Sequence, residues 1–548
     1  MRFSKHLPFV FIVLSACLLY LPTLRTGFLT DDFLDCTHTI GAVPDAFTQG
    51  MAGGYRPLMV ASWALDNALW GITGHMGWHL TNLIILALGA FLLFRVLMCF
   101  VDSNRAASAG LAFFVFSFPT AVAVGRVSWR TTLLTLIPML LSLILAVMGA
   151  KRKSIKYLVL SAMLYLIALL FKETFIAAAP FIAAAGAFSA EKDRQRPTFL
   201  RILGFSVLAL LVYAVMRYSA MGTDLNYSES GTYGFFMIKN LFSLNAIFWE
   251  PWLSKIPVRI LVFLIPVFVY FCTNRWSLRI LVLSGGFFLL LPVSNLSPRP
   301  DLAVAAAPAV ALTVALAFQR YGSSRAFSSL FLVLLAGMFF NARDELRILR
   351  DASESLENET DRIAFILEDL PGDGPVFIDG IVEEYTGYGT FWPGEYSMAL
   401  KCSGYSVNRM VTDTGRIWEQ MNSFQGEGTL VFASVEPIRS YSVSASMYTE
   451  LPDTTVSING SVSAGDLSAY PSCSSTTEDG SLCLFNPLLT DSIICIEPMY
   501  LDGKWHFDLA SESVWLTGEP GIVIMGSSQE LVFNSRNIAQ EYSEDLHR

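Results

Sequence analysis

The sequence predicts a polytopic α-helical membrane protein with a soluble domain at its C-terminal end, and three observations predict it. Hydrophobic residues make up 53% of the chain and charged residues only 15%, with a mean hydropathy of +0.50; soluble globular domains do not have these proportions. Apolar runs of about 17 to 25 residues, the length needed to cross a hydrocarbon core, recur as far as residue 341 and then stop. After residue 342 acidic residues gather, and short alternating runs replace the long apolar ones. Two domains are therefore expected, 1–341 in the membrane and 342–548 outside it. With a net charge of −9, the chain gives no support to a nucleic-acid role.

Eleven spans are expected, at residues 7–24, 77–100, 106–123, 131–150, 155–171, 174–190, 199–219, 256–272, 278–293, 302–318 and 326–341. Arg2 and Lys5 precede the first run as they would in a signal peptide. However, Leu21-Pro22-Thr23-Leu24 lacks the small residues of a cleavage site, so an uncleaved first helix is expected. Basic residues occupy every second connection: Arg2 and Lys5, Arg105, Lys151 to Lys156, Lys192 to Arg201, Arg275 and Arg279, and Arg320 and Arg325. Because Lys and Arg near span ends are retained in the cytoplasm, this bias orients the chain. The N-terminus faces the cytoplasm and the C-terminal domain lies outside, in a multi-pass protein of the cell (inner) membrane. Outward segments are then 25–76, 124–130, 172–173, 220–255 and 294–301, together with everything after 341.

These outward segments hold the polar chemistry. The first opens with Thr30-Asp31-Asp32-Phe33-Leu34-Asp35, in which Asp35 reads as a solvated loop residue. Pro44, Gly50, Gly53 and Gly54 mark irregular backbone. Pro57 then opens a stretch with Trp63, Leu65, Leu69 and Trp70, expected as a short amphipathic helix on the outer surface. Span two begins Gly77-Trp78-His79-Leu80-Thr81-Asn82, which sets His79 and Asn82 three apart on one helical face. Trp63, Trp70 and Trp78 read as interfacial belt residues. Five cations face the same side: Arg56, Arg126, Arg130, Lys172 and Arg299. Guanidinium forks bind phosphate bidentately, whereas Lys supplies a point charge. The apolar stretch Phe235–Leu244 is too short to cross and is expected to lie in or along the outer leaflet.

Six short motifs occur in a fixed order: Gly27-Phe28-Leu29-Thr30-Asp31-Asp32, Tyr55-Arg56-Pro57-Leu58, Trp78-His79-Leu80-Thr81-Asn82, Gly125-Arg126, Phe171-Lys172-Glu173-Thr174 and Leu291-Pro292-Val293-Ser294-Asn295. Over about residues 20 to 320 this order resembles the GT-C membrane glycosyltransferases, and within them the transmembrane O-mannosyltransferases with tetratricopeptide repeats and their bacterial relatives. Two positions depart from the family. No acidic residue follows Gly125-Arg126, and Pro298-Arg299-Pro300-Asp301-Leu302 stands where the family has an Arg-Tyr pair. The C-terminal domain also lacks the helical repeat.

The resemblance implies transfer of a sugar, with mannose as one option, from a polyprenyl-phosphate donor to a protein, lipid or glycan acceptor at the outer face, inverting the anomeric carbon. Asp31 and Asp32 match the family's acidic pair. One of them would be the general base, since an activated phosphate donor needs only a deprotonated acceptor hydroxyl and cations for the leaving phosphate. Arg56, Arg126, Arg130, Lys172 and Arg299 are the candidate phosphate ligands, with Glu173 and His79 in support. Adjacent carboxylates also suit Mg²⁺ or Mn²⁺. The family looks metal-independent, so no cofactor or metal ligand is expected, with a divalent ion as the alternative. A transporter or flippase for lipid-linked sugars, and a non-catalytic assembly protein, are the competing classes. The transporter requires mid-span charges and broken helices at matched positions of two repeats.

In the C-terminal domain, residues 343–364 suggest a helix leaving the membrane. Runs such as Val376-Phe377-Ile378, Leu430-Val431-Phe432 and Val514-Trp515-Leu516 suggest strands of an α/β or β-rich fold. Cys402, Cys473, Cys483 and Cys495 are candidates for disulfides there, Cys473 with Cys483 being the shortest closure.

Overall fold

The computed structural model describes residues 7–50, 54–222, 300–368 and 396–413, a few single residues, and the backbone of short strands between 376 and 533. It divides into two compact units, Met1–Glu354 and Ser355–Arg548.

In the first unit, α1 (Leu7–Tyr20) runs into a 3-10 turn at Leu21–Arg25. The connection that follows holds three short helices, α2 (Asp31–Cys36), α3 (Val43–Thr48) and α4 (Pro57–Trp70). Then come α5 (His75–Leu97), α6 (Asn104–Phe116), α7 (Phe118–Gly125), α8 (Arg130–Arg152) and α9 (Ile155–Phe171). A 3-10 turn at Glu173–Ala178 leads into α10 (Ala179–Ser189), followed by α11 (Gln195–Met221). Beyond residue 300 lie α12 (Ala307–Tyr321) and α13 (Arg325–Glu368).

Among the described residues five helical stretches are long and apolar enough to cross a bilayer, or six if α6 and α7 form one bent span. The protein is therefore a multi-helical membrane protein, as its composition requires. The stretches at 7–24, 155–171 and 174–190, expected as full spans, form apolar helices shorter than the rest. The expected spans 256–272 and 278–293 lie outside the described residues, as does nearly all of the apolar stretch 235–244.

Serine pairs and small residues bring the helices together, since between apolar helices in lipid close packing and internal hydrogen bonds supply the attraction. Ser142 and Ser161 exchange hydroxyl-to-carbonyl bonds of 2.8 Å between α8 and α9. Where α6 meets α12, a Cβ added to Gly110 would stand 2.4 Å from the Ala311 carbonyl oxygen, so only glycine permits that approach. Ile84, Phe91, Met163, Leu208, Val215 and Leu332 project from the other faces and are exposed, as lipid-facing residues are. Pro119, in the first turn of α7, cannot donate a hydrogen bond back to continue α6, and the pair bends by 52° there. The bend delivers the 125–129 turn to the candidate site.

No proline interrupts Arg325–Glu368, and the expected last span and the expected exit helix form one 44-residue helix, α13. Gly125 packs against its side chains: a Cβ there would stand 2.7 Å from Leu349 Cδ1.

The second unit contains a five-stranded sheet in the order β4-β1-β5-β6-β7. Its strands are β1 (Val376–Asp379), β4 (Val411–Asp413), β5 (Gly426–Phe432), β6 (Arg439–Met447) and β7 (Val456–Ser461). β1 runs parallel to β4 and β5, and the other pairs are antiparallel. β2 (Glu384–Tyr385) with β3 (Tyr388–Gly389), β8 (Leu482–Phe485) with β9 (Ile493–Ile496), β10 (Pro498–Leu501) with β11 (Lys504–Phe507) and β12 (Ile522–Met525) with β13 (Glu530–Phe533) make two-stranded pairs. Helix α14 (Tyr396–Cys402) precedes β4. No disulfide is found among the described residues, and Cys402, expected as a candidate, is buried. Cys473 lies outside the described residues, and the backbone register sets Cys483 opposite Cys495.

Candidate active site

The site is built on α2. Phe28 anchors the chain before it, packing edge-on against Phe33, His75 and Trp78 with ring centroids 6.2, 6.4 and 6.0 Å away. Burying that aromatic cluster fixes where the acidic residues begin. The two adjacent carboxylates then take different places. Asp32 is fully buried, and both its oxygens accept backbone amides: Oδ2 from Leu29 at 3.1 Å and Oδ1 from Ser128 at 2.6 Å. It therefore ties the first connection to the turn after α7. Asp31 lies in the first turn of α2 and is partly exposed.

Asp35 is not the solvated residue expected from the sequence; it is 4% exposed. Residues four apart share a helical face, so α2 turns Asp35 to the same side as Asp31. Burial and the neighbouring Asp32 and Asp31 carboxylates push the Asp35 carboxyl well above the usual carboxylate range, against the pull of Arg130 and Arg56.

Each expected cation among the described residues is held by the protein. Arg126 donates from Nη2 to the Thr30 hydroxyl and lies 4.4 Å over the Trp129 ring. The Asn82 side-chain amide fixes its turn by donating to the carbonyls of Val124 at 3.0 Å and Arg126 at 3.2 Å. Arg130 is fully buried, paired with Asp66 and set over Trp78 at 5.3 Å. Arg130, expected among the phosphate ligands, is enclosed with Asp66, and withdrawing it from that pair would leave Asp66 as a buried, unpaired charge. Lys172 donates to the hydroxyls of Thr131 at 3.1 Å and Thr132 at 2.9 Å. Arg56 grips Glu173 through Nε at 3.0 Å and Nη2 at 2.7 Å, and its side chain keeps 20% of its surface exposed. Glu173, expected in a supporting role, is paired with Arg56 and lies close enough to Lys172 for their charges to interact. His79 is fully buried, close enough to Asp32 for their charges to interact. Arg299 lies outside the described residues.

Two of the three tryptophans read as belt residues are interior. Trp78 is fully buried and donates Nε1 to the Gly71 carbonyl at 2.9 Å. Trp63 is 4% exposed and stacks on His38 at 5.4 Å; only Trp70, with 39% exposure, fits an interface. The expected amphipathic helix is α4, opened by Pro57 and exposing Leu65, Leu69 and Trp70.

The sequence reading missed Asp66 and Thr30. Asp66 follows Trp63 and Met59 at helical spacing, and that spacing signals its place on the buried face of α4. Its Oδ1 also accepts the Thr81 hydroxyl at 3.0 Å. Thr30 has φ 44 and ψ −112, a conformation that costs a β-branched residue of order 1 to 3 kcal/mol. No sequence signal marks such strain. Among the described residues no group of three or more His, Cys, Asp or Glu side chains is placed to hold a metal.

No protein-family model and no curated protein sequence matches the chain. Among solved structures it is similar to ArnT from Cupriavidus metallidurans bound to undecaprenyl phosphate. The two are 12% identical with a TM-score of 0.48, over 82% of this chain and 97% of that one.

Proposed function

We propose that the protein is a membrane glycosyltransferase that moves a sugar from a polyprenyl phosphate to a hydroxyl acceptor at the outer membrane face. The observation that carries this reading is the unequal pair: Asp32 is spent on two backbone amides, whereas Asp31 beside it is partly exposed. Thr30 and Asp32 also bind Arg126 and the Ser128 amide, and the charges of Arg130 and Arg56 act on Asp35, which supports a polar site at α2.

In this reading the acceptor oxygen attacks the anomeric carbon, and its proton passes to the Asp31 carboxylate. The bond from that carbon to the phosphate oxygen breaks, the electron pair stays with the polyprenyl phosphate, and the configuration inverts. Arg56, Arg126 and Lys172 face the phosphate charge, with Glu173 orienting Arg56. The first connection and the second unit stand outside the cytoplasm, where the second unit meets the acceptor.

The test is transfer from radiolabelled polyprenyl-phosphate sugars to a panel of protein, lipid and glycan acceptors in proteoliposomes. Asp31→Asn is expected to lower kcat by about 10² to 10⁴, the contribution of one general base. Transfer at the wild-type rate by Asp31→Asn would overturn the assignment.

A further inference from the structure

Thr30, one residue before Asp31, combines two features that do not ordinarily meet. Its φ of 44 lies where L side chains, and β-branched ones above all, are rarely found unless the surroundings impose it. It is also the residue preceding α2, where a threonine hydroxyl ordinarily accepts an amide of the first turn. Here it makes no such cap. The hydroxyl accepts from Arg126 instead.

Arg126 is a fixed anchor. Its carbonyl accepts from Asn82, and its guanidinium lies over Trp129. Two residues after Thr30, Asp32 grips Ser128 of that same turn and also reaches back to the Leu29 amide. The chain is therefore attached to the 126–128 turn at Thr30 and again at Asp32. Asp31 is the residue between the two attachments.

We propose that Thr30 is a positioning residue: the Arg126 bond to its hydroxyl holds the strained backbone that sets where the Asp31 carboxylate stands. The proposal rests on the reading of Asp31 as the base. Losing the bond lets the backbone relax and moves Asp31, while the Asp32 attachment keeps the helix in place.

The experiment compares Thr30→Ser, Thr30→Val and Thr30→Gly in the full chain, with Asp31→Asn alongside. Ser keeps the hydroxyl and is expected to transfer at close to the wild-type rate. Val keeps the branching but loses the bond, and Gly removes both the bond and the strain. Each is expected to lose about 10²-fold in kcat, the effect of a displacement of about 1 Å. Gly should match or exceed the wild-type thermal midpoint. A readout independent of transfer is carbodiimide modification of Asp31, followed by mass spectrometry with exposed Asp45 as the control. Its rate should change in Val and Gly and be restored in Ser.

Wild-type kcat and unchanged Asp31 modification in both Val and Gly would overturn the proposal, as would a kcat loss in Gly that tracks a lowered thermal midpoint. If Asp31→Asn transfers normally, the parent reading fails. If that variant is inactive while Val and Gly are not, only the role of Thr30 fails.

Discussion

The site has a floor and a rim made from the same residue types. On the floor, Asp32, Asp66, Arg130 and His79 are at most 2% exposed, and the carboxylates are committed to backbone amides or to a guanidinium. On the rim, Asp31 is partly exposed, and the side chains of Arg56 and Glu173 keep 20% and 10% of their surface exposed while paired. The contrast shows that residue type does not assign a role. A buried carboxylate with both oxygens occupied holds the chain in place, and its neighbour at the next position is less enclosed.

The largest effect should come from breaking the floor. Arg130→Met leaves Asp66 buried and unpaired, which should cost about 3 to 5 kcal/mol and appear as a large fall in thermal midpoint. Adding Asp66→Leu should restore much of that loss. If Arg130→Met leaves the midpoint unchanged while raising the donor KM, Arg130 belongs on the rim.

A smaller effect is expected at Asp35. Its carboxyl pKa is raised, so the stability it contributes is full below the unfolded value of about 3.9 and is lost as pH rises through the folded value. Asp35→Asn should therefore match the wild type at acidic pH and become the more stable of the two as pH rises above the ordinary carboxylate range. Equal thermal midpoints across that window would show that ionising Asp35 costs nothing and that it is effectively solvated.

The smallest effect on folding is expected on the rim itself. Arg56→Lys keeps the charge and loses the fork. It should raise the donor KM about tenfold, equivalent to about 1.4 kcal/mol, with little change in thermal midpoint. A fall in midpoint comparable to that of Arg130→Met would erase the distinction between floor and rim.

Much of this arrangement was legible in the sequence, because apolar length and the placing of polar motifs are strong signals. The helices expected within the described residues appear. Asp31 and Asp32 open one short helix, with Arg126 bound to Thr30 before it and the charges of His79 and Arg56 acting on Asp32 and Asp35. Glu173 is paired with Arg56, and Lys172 is held on Thr131 and Thr132 of α8. What was not legible depended on partners distant in the chain. Arg130 reads as an outward cation until Asp66, 64 residues earlier, closes on it. Asp35 reads as a loop residue because six residues give too little periodicity to reveal α2. Trp78 reads as a belt residue until Phe28 and Arg130 enclose it.

The central claim is that Asp31 performs the chemistry and Asp32 braces the fold. It is tested most directly by measuring transfer and thermal midpoint together for Asp31→Asn and Asp32→Asn. Asp31→Asn should lose transfer at an unchanged midpoint, and Asp32→Asn should lose midpoint, with any loss of transfer following from it. An Asp32→Asn variant that is fully stable and inactive, beside an active Asp31→Asn, would contradict the account.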